Sequence, residues 1–290
     1  PRIAPVLYEF ISVDEYLKQC AIVNPHLQLH YRVTLQPREN QQAADDEDSK
    51  DQPAGTGSWL TFPRAVNKVP KQPDEIKPHP HGVELGMLMQ MLKDTRARTL
   101  RTALMEDFSR VSSKSALEIC EKARLNPKAS AVRIAHHEIE ALYKAIGETK
   151  LMRPPTDCVS PIGEDQLISG LKKEITADFY TAVTRQPSVY RGNPFQIEVA
   201  LAYARPGSDK EATTEDPARI MRFANRAPLL YMGGACATTK AISSVNWRNY
   251  GVSQPRGSLP VGPIVIAVHM ASVWVPFTSE SKEAIAHYPE

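Results

Sequence analysis

The sequence predicts an α+β protein in which a small all-α region precedes a mixed domain of strands and helices. Residues 81–150 carry apolar side chains at spacings of three and four, as amphipathic helices do. Residues 195–204 and 263–277 read as buried strands, the first with apolar residues at alternate positions. Proline-rich stretches at 70–80 and 152–161 separate these regions. The 290 residues are enough for two or three domains with cores of their own.

The N-terminal region begins with a predicted helix over 12–22, where Ser12 is the N-cap and Glu15 its capping-box partner. Short strands are predicted over 27–33 and 59–66. Between them, residues 38–58 are acidic and lack aromatic residues, which predicts a disordered loop. Four prolines make residues 70–80 an extended linker.

The C-terminal region alternates between helix and strand patterns. Its predicted elements, in order, are a helix at 162–175, strands at 195–204 and 219–231, a helix at 233–245, a strand at 263–277 and a final helix that begins around Lys282. The order after the first helix is β-β-α-β, so this region is α plus β.

Composition and motifs exclude several classes of protein. A net charge of +2 gives no global nucleic-acid signal, so any basic surface must be local. The four cysteines are far apart, which argues against a disulfide framework and a zinc ribbon. No apolar run reaches membrane-spanning length, and we expect no membrane partner. No phosphate-binding loop, dinucleotide fingerprint or hydrolase elbow is present. His79 and His81 lie among prolines without nearby acids or thiols, so we expect no metal there.

The helical region has a modest basic bias. Residues 87–150 hold twelve basic and eight acidic residues. Arg96, Arg98 and Arg101 cluster near one predicted helix start, and Lys114 begins another. Such positions suit contacts with nucleic-acid phosphates. A solvated charged face explains them equally well.

Lys282 stands in the first turn of the last predicted helix, where acidic residues are favoured because the free N–H groups are positive. Either the side chain points into water, or an anion binds at this helix start and the lysine reaches it.

Five segments resemble the B subunit of DNA topoisomerase VI, a type IIB topoisomerase of the Bergerat-type ATPase family. They are AIVNPHLQLHY (21–31), KPHPHGVELG (77–86), PPTDCVSPIGEDQLISGL (154–171), the run from RGNPFQIEVALAY to NWRNYG (191–251) and LPVGPIVIAVHMASVWVPFTSESKEAIA (259–286). The resemblance covers most of the chain. Residues 1–11 and the acidic stretch at 38–58 fit it poorly.

The resemblance implies three domains. Residues 1–80 resemble the C-terminal remnant of an α/β Bergerat-type ATPase domain, 81–150 a helix–two-turns–helix module, and 151–290 a transducer domain. The ATP-site motifs of the family, an Asn-bearing helix, a D-x-G-x-G turn and a glycine-rich lid, do not occur in this sequence. Because the chain starts at Pro1 and a predicted helix is cut at Glu290, we expect a fragment of a longer protein.

The resemblance also implies a role for Lys282. In this family a lysine after the last long transducer strand contacts the γ-phosphate of ATP, and Lys282 in PFTSESKEAIA matches it. ATP with Mg²⁺ would close two B subunits around double-stranded DNA. The A subunits, which bind magnesium and carry the cleaving tyrosine, would cut a second segment. The assembly would be a heterotetramer of two A and two B subunits. No catalytic residue is expected in this chain.

Two interpretations therefore stay open. The chain is part of an ATP-hydrolysing DNA topoisomerase, or it is a non-enzymatic DNA-binding or scaffolding derivative that has lost the ATPase core. The fragment alone is not expected to be active. The compartment would be the cytoplasm in an archaeon and the nucleus in a eukaryote.

Overall fold

The computed structural model describes residues 12–33, 58–203 and 216–288, and within them the fold is mixed α and β, as predicted. Nearly all of the predicted acidic loop at 38–58 lies outside the described residues. The described helices are α1 (Val13–Val23), α2 (Leu85–Asp94), α3 (Leu100–Glu106), α4 (Ser113–Lys122), α5 (His136–Glu148), α6 (Glu164–Glu174) and α7 (Ala237–Ser244). The described strands are β1 (Leu29–Tyr31), β2 (Leu60–Phe62), β3 (Phe179–Thr184), β4 (Ser188–Tyr190), β5 (Asn193–Tyr203), β6 (Arg219–Ala224), β7 (Ala227–Pro228) and β8 (Ile264–Ser272).

Helix α1 begins where its capping residue predicts. The Ser12 hydroxyl accepts a hydrogen bond from the Glu15 N–H at 3.0 Å, which satisfies one free donor of the first turn. The Glu15 carboxylate pairs with Arg219 on β6 and accepts from Gln19, so it links α1 to the sheet. The strands β1 and β2 after α1 form a two-stranded antiparallel ribbon.

The helical region consists of α2 to α5 around one apolar core. The helical pattern is divided into separate helices because Thr99 and Ser112 cap α3 and α4, accepting from the N–H groups of Thr102 and Ser115. The helix start predicted at Lys114 falls in the first turn of α4. The largest fully buried side chains of this core are Leu88, Leu92, Leu100, Leu104, Ile119 and Leu142. Its helices therefore pack as a unit of their own.

The main sheet has the strand order β3-β5-β8-β6-β7, with β4 paired to β5. Strand β6 runs parallel to β8, and the other pairs are antiparallel. Helices α6 and α1 cover one face, where Ile22, Leu167, Leu171, Met221 and Phe223 form a buried core. Helix α1 is thus packed onto the sheet.

Several predicted boundaries were wrong. The strand expected over 219–231 ends at Ala224, turns at Asn225 and Arg226, and resumes as the two-residue β7. The strand expected over 263–277 ends at Ser272. Strands β3 and β4 were not predicted, because β3 lies at the sheet edge and β4 has only three residues. In the described part of the chain, no helix is both long and apolar enough to span a bilayer.

Candidate functional site

Lys282 lies in a closed loop rather than at a helix start, so the predicted final helix is wrong. The loop runs from Phe277 to Ile285, which form an antiparallel bridge, and we call residues 277–285 the Lys282 loop. Inside the bridge the Thr278 N–H donates to the Ala284 carbonyl at 2.9 Å. Lys282 itself has φ +56°, a left-handed conformation from which an α-helix cannot continue. The positive helix end that motivated an anion site is therefore absent from the described residues.

The base of the Lys282 loop is fixed to the start of α7. The Ala237 N–H donates to the Ile285 carbonyl at 2.8 Å, and the Ile285 N–H donates to the Cys236 sulfur at 3.4 Å. Ala284 and Ile285 are buried there. Burial by itself raises the pKa of the Cys236 thiol, but hydrogen bonds with Thr238 and the Ile285 N–H bring it below its ordinary value. These contacts explain why Ile285 forms a β-bridge with Phe277 and binds the start of α7 instead of forming a helical turn.

The Lys282 side chain is exposed at a pocket of about 460 Å³. The pocket is bounded by Tyr16 on α1, by Asn225 in the β6–β7 turn and by the segment 228–231. A lysine ammonium at such a rim acts on a phosphate as a mobile point charge. The arrangement places the Lys282 cation at the rim of a pocket that α1 and the β6–β7 turn border, on a loop whose base is fixed.

The predicted nucleic-acid residues lie in the helical region, on a different part of the chain from Lys282. Arg96, Arg98, Arg101 and Lys114 are all exposed. The Arg101 guanidinium donates to the hydroxyl of Ser113, the residue before Lys114, so Arg101 contacts the start of α4. Arg96 and Arg98 lie in the connection between α2 and α3. Their exposure is compatible both with phosphate contacts and with a solvated face.

His79 and His81 have structural hydrogen bonds. The His79 Nε2 lies 3.0 Å from the Met152 carbonyl, while its Nδ1 accepts from the His81 N–H. The His81 Nε2 lies 3.1 Å and 3.0 Å from the carbonyls of Ile146 and Thr149. Among the residues that the structure describes, no group of three or more His, Cys, Asp or Glu is arranged to hold a metal ion. The pair joins the start of the helical region to the end of α5.

Comparisons with known proteins agree with this architecture. Residues 154–290 match the model of the topoisomerase VI B-subunit transducer. The B subunit of type 2 DNA topoisomerase 6 from Methanosarcina mazei is 45% identical over 278 residues, which is 96% of this chain and 41% of that protein. The Archaeoglobus fulgidus protein of the same name is 42% identical over 279 residues, or 96% of this chain and 42% of the relative.

The chain belongs to the topoisomerase VI B-subunit family. The corresponding topoisomerase 6 protein of Natronomonas pharaonis is 53% identical over 150 residues, which is 51% of this chain. The chain spans about two fifths of the length of the M. mazei and A. fulgidus relatives. The transducer match begins at residue 154, ten residues before α6.

Two residues beside the pocket were missed by sequence reasoning. Asn225 and Arg226 form the β6–β7 turn, with φ values of +46° and +64°. Asn225 is a common turn residue and gave a local signal, but it stood within an apolar pattern that favoured an uninterrupted strand. Nothing in the sequence marked Arg226, because its partners are backbone carbonyls distant along the chain.

Proposed function

We propose that this chain is the coupling region of the B subunit of an ATP-dependent type II DNA topoisomerase, which relaxes supercoiled DNA by double-strand passage. In this proposal Lys282 contacts the γ-phosphate of ATP and links nucleotide state to transducer movement. Family membership supports the enzyme class, and the position of Lys282 supports the coupling role. The chain contributes no residue to DNA cleavage.

The observation that carries the proposal is that Lys282 is exposed while both ends of its loop are held in place. Its ammonium is exposed at a pocket rim, while the ends of its loop are held by the Phe277–Ile285 bridge and by Ala237 on α7. A contact with the γ-phosphate would therefore pull on the base of α7 and on the C-terminal end of β8. Contacts of this kind exist with the triphosphate and are lost on hydrolysis, which is how nucleotide switches change state.

We assign the three predicted domains accordingly. Residues 1–80 are the end of the ATPase domain, 81–150 the helix–two-turns–helix module and 151–290 the transducer. The transducer transmits movement to the A subunits in a heterotetramer of two A and two B subunits. Mg²⁺ accompanies ATP, and the A subunits also bind it. Because the relatives named above are archaeal, we place the protein in the cytoplasm of an archaeal cell.

DNA contact is proposed for the helical module. Arg101 contacts Ser113 at the start of α4, which also carries Lys114, and Arg96 and Arg98 are exposed in the preceding connection. Phosphate contacts of this type fix position on double-stranded DNA without reading sequence. Their loss would weaken binding in a salt-dependent way.

The test uses the full-length B subunit with its A subunit and compares wild type, Lys282→Ala and Lys240→Ala. Lys240 is an exposed lysine on α7, outside the Lys282 loop, so it controls for the loss of one positive charge. We expect Lys282→Ala to bind ATP but to lose at least about tenfold in hydrolysis and relaxation, as removal of a phosphate-clamping cation does. Lys240→Ala should keep both activities.

Two other outcomes contradict the proposal. If Lys282→Ala keeps both activities, the lysine is a surface residue and coupling lies elsewhere. If the full-length wild-type protein binds DNA but does not hydrolyse ATP, the non-enzymatic derivative is the correct interpretation.

A further inference from the structure

The β6–β7 turn holds an arginine in a conformation that favours glycine. Its two central residues, Asn225 and Arg226, both have left-handed φ values, the pattern of a two-residue type I′ hairpin. The second central position of such a turn is usually glycine, because a Cβ is unfavourable there. A non-glycine residue keeps such a backbone conformation only where surrounding contacts hold it there.

The Arg226 side chain connects three segments that are distant in sequence. Its Nη1 donates to the Val23 carbonyl at 3.1 Å, at the end of α1, and its Nη2 donates to the Pro161 carbonyl at 2.9 Å, just before α6. The Arg226 carbonyl accepts from the Asn24 side-chain amide at 3.3 Å. The half-buried guanidinium therefore joins α1 to the turn and to the start of α6.

Behind the turn, a buried polar array extends this connection into the sheet. The Arg226 N–H donates to His269 Nε2 at 3.1 Å, and because an N–H can only donate, the ring proton lies on Nδ1. His269 Nδ1 then donates to the Glu198 carboxylate at 2.7 Å. Glu198 is fully buried and also accepts from the N–H groups of Ile162 and Gly163, both at 2.7 Å.

The charge arrangement stabilises the array. Burial alone raises the pKa of Glu198, but the hydrogen bonds from His269 and the two N–H groups before α6 bring it below its usual value, so the group is an anion at neutral pH. Burial lowers the pKa of Arg226, and the negative charge of Glu198 offsets part of that effect. Hydrogen bonds thus connect the buried Glu198 carboxylate through the His269 imidazole to Arg226 and on to α1.

The other half of the turn borders the Lys282 pocket. Asn225 lines that pocket, and its side chain exchanges two hydrogen bonds of 2.9 Å with the backbone of Ser272 at the end of β8. The turn therefore borders the Lys282 pocket through Asn225 and contacts the end of α1 through Arg226.

We propose that Arg226 is a positioning residue that locks α1, the end of the ATPase domain, to the transducer sheet beside Lys282. This inference rests on the proposed function and deepens it. A γ-phosphate contact at Lys282 is transmitted to the sheet as a defined movement only if α1 and the sheet are held in register. The Arg226 side chain contributes to this register by its bonds to Val23 and Pro161, in addition to the Glu15–Arg219 pair.

The decisive variant is Arg226→Gly in the full-length B subunit with its A subunit. It creates an Asn-Gly turn, the sequence that type I′ hairpins favour, so the hairpin is retained while the connecting side chain is lost. The matched control is Arg191→Gly. Arg191 also occupies a left-handed turn position in the same sheet, but its guanidinium lies over Tyr190 and Tyr288 rather than against α1.

We expect Arg226→Gly to hydrolyse ATP within about twofold of wild type while the DNA relaxed per ATP falls at least about tenfold, because two hydrogen bonds from a charged donor are lost. In Arg226→Gly the amides at the C-terminal end of α1 should also exchange with solvent faster than in Arg191→Gly. Arg191→Gly should keep the wild-type amount of DNA relaxed per ATP. An unchanged ratio in Arg226→Gly, or unchanged exchange of α1, overturns the inference. Lys282→Ala is measured in parallel to separate the proposed role of Lys282 from the inference about Arg226. If Lys282→Ala abolishes hydrolysis while Arg226→Gly behaves as wild type, only the inference about Arg226 fails.

Discussion

Replacing Gly170 by alanine tests how closely α1 and α6 approach each other. Gly170 lies buried in the middle of α6, and a Cβ there would be 2.0 Å from the carbonyl oxygen of Ile22. Real Cβ contacts essentially never fall below 3.0 Å, so the two helices would have to separate by about 1 Å. The close approach is possible only because residue 170 has no side chain.

The magnitude follows from two opposing effects. Alanine is favoured over glycine inside a helix by about 1 kcal/mol, whereas overpacking a well-packed contact costs about 1–3 kcal/mol and occasionally more. Because the obstacle is backbone and not the end of a flexible side chain, we expect the upper part of that range. The net loss in the free energy of unfolding should be about 2 kcal/mol, or about 3 °C in the melting temperature for a chain of this size.

Gly147→Ala is the matched control. Gly147 is also helical, in α5, and a Cβ there meets nothing within 4 Å, so this variant should gain up to about 1 kcal/mol. Both variants would be measured by guanidinium unfolding of the 290-residue chain, followed by far-ultraviolet circular dichroism. If Gly170→Ala is as stable as Gly147→Ala, the backbone contact between α1 and α6 is wrong, and with it the position of Val23 beside Arg226.

Two further predictions concern buried polar and backbone contacts. Because hydrogen bonds from His269 and two backbone N–H groups lower the pKa of Glu198, its stabilising contribution is present above the ordinary pKa of 4.5 and is lost as the pH falls through the lower folded-state value. Glu198→Gln should therefore lose about 3 kcal/mol near neutral pH but show a weaker dependence of its denaturation midpoint on pH in acid. Gly192→Ala should cost about 3 kcal/mol in a thermal melt, since Gly192 has φ +72° and a Cβ would lie 2.6 Å from the Gly82 nitrogen. Gly251→Ala, at φ +75° but in open space, should cost only about 1 kcal/mol, and equal losses in the two variants would refute the backbone contact.

The sequence predicted those helices and strands whose local residue pattern matches their environment in the fold. The Ser12 cap located α1, and the apolar character of 195–204 and 263–277 identified β5 and β8, the two central strands of the sheet. Strand β3 was missed because it lies at the sheet edge, with every second residue exposed. The short helices of the 81–150 region followed from apolar periodicity, but their interruptions depended on Thr99 and Ser112.

The Lys282 loop shows why the candidate site itself could not be predicted. SESKEAIA carries a serine, acids and good helix formers, all of which favour a helix locally. Two bonds to the start of α7, through Cys236 and Ala237, outweigh that preference by fixing Ile285 in an extended conformation. Cys236 and Ala237 lie about fifty residues earlier in the chain, so the pattern of residues in SESKEAIA gives no sign of these contacts. The lysine was identified by resemblance, and its conformation only by the structure.

Non-glycine residues with positive φ are concentrated around the Lys282 pocket. Of the seven non-glycine residues with positive φ in the described part of the chain, Asn225 and Lys282 line the pocket, and Arg226 and Met232 directly follow lining residues. Such conformations persist only where tertiary contacts over-determine them, and they cluster at sites that bind or switch. The contacts that impose them here come from three places: the end of β8 for Asn225, the end of α1 for Arg226 and the start of α7 for the Lys282 loop. The ends of β8 and α1 and the start of α7 thus meet around the pocket that Lys282 lines, which is the arrangement that the proposed transmission from Lys282 requires.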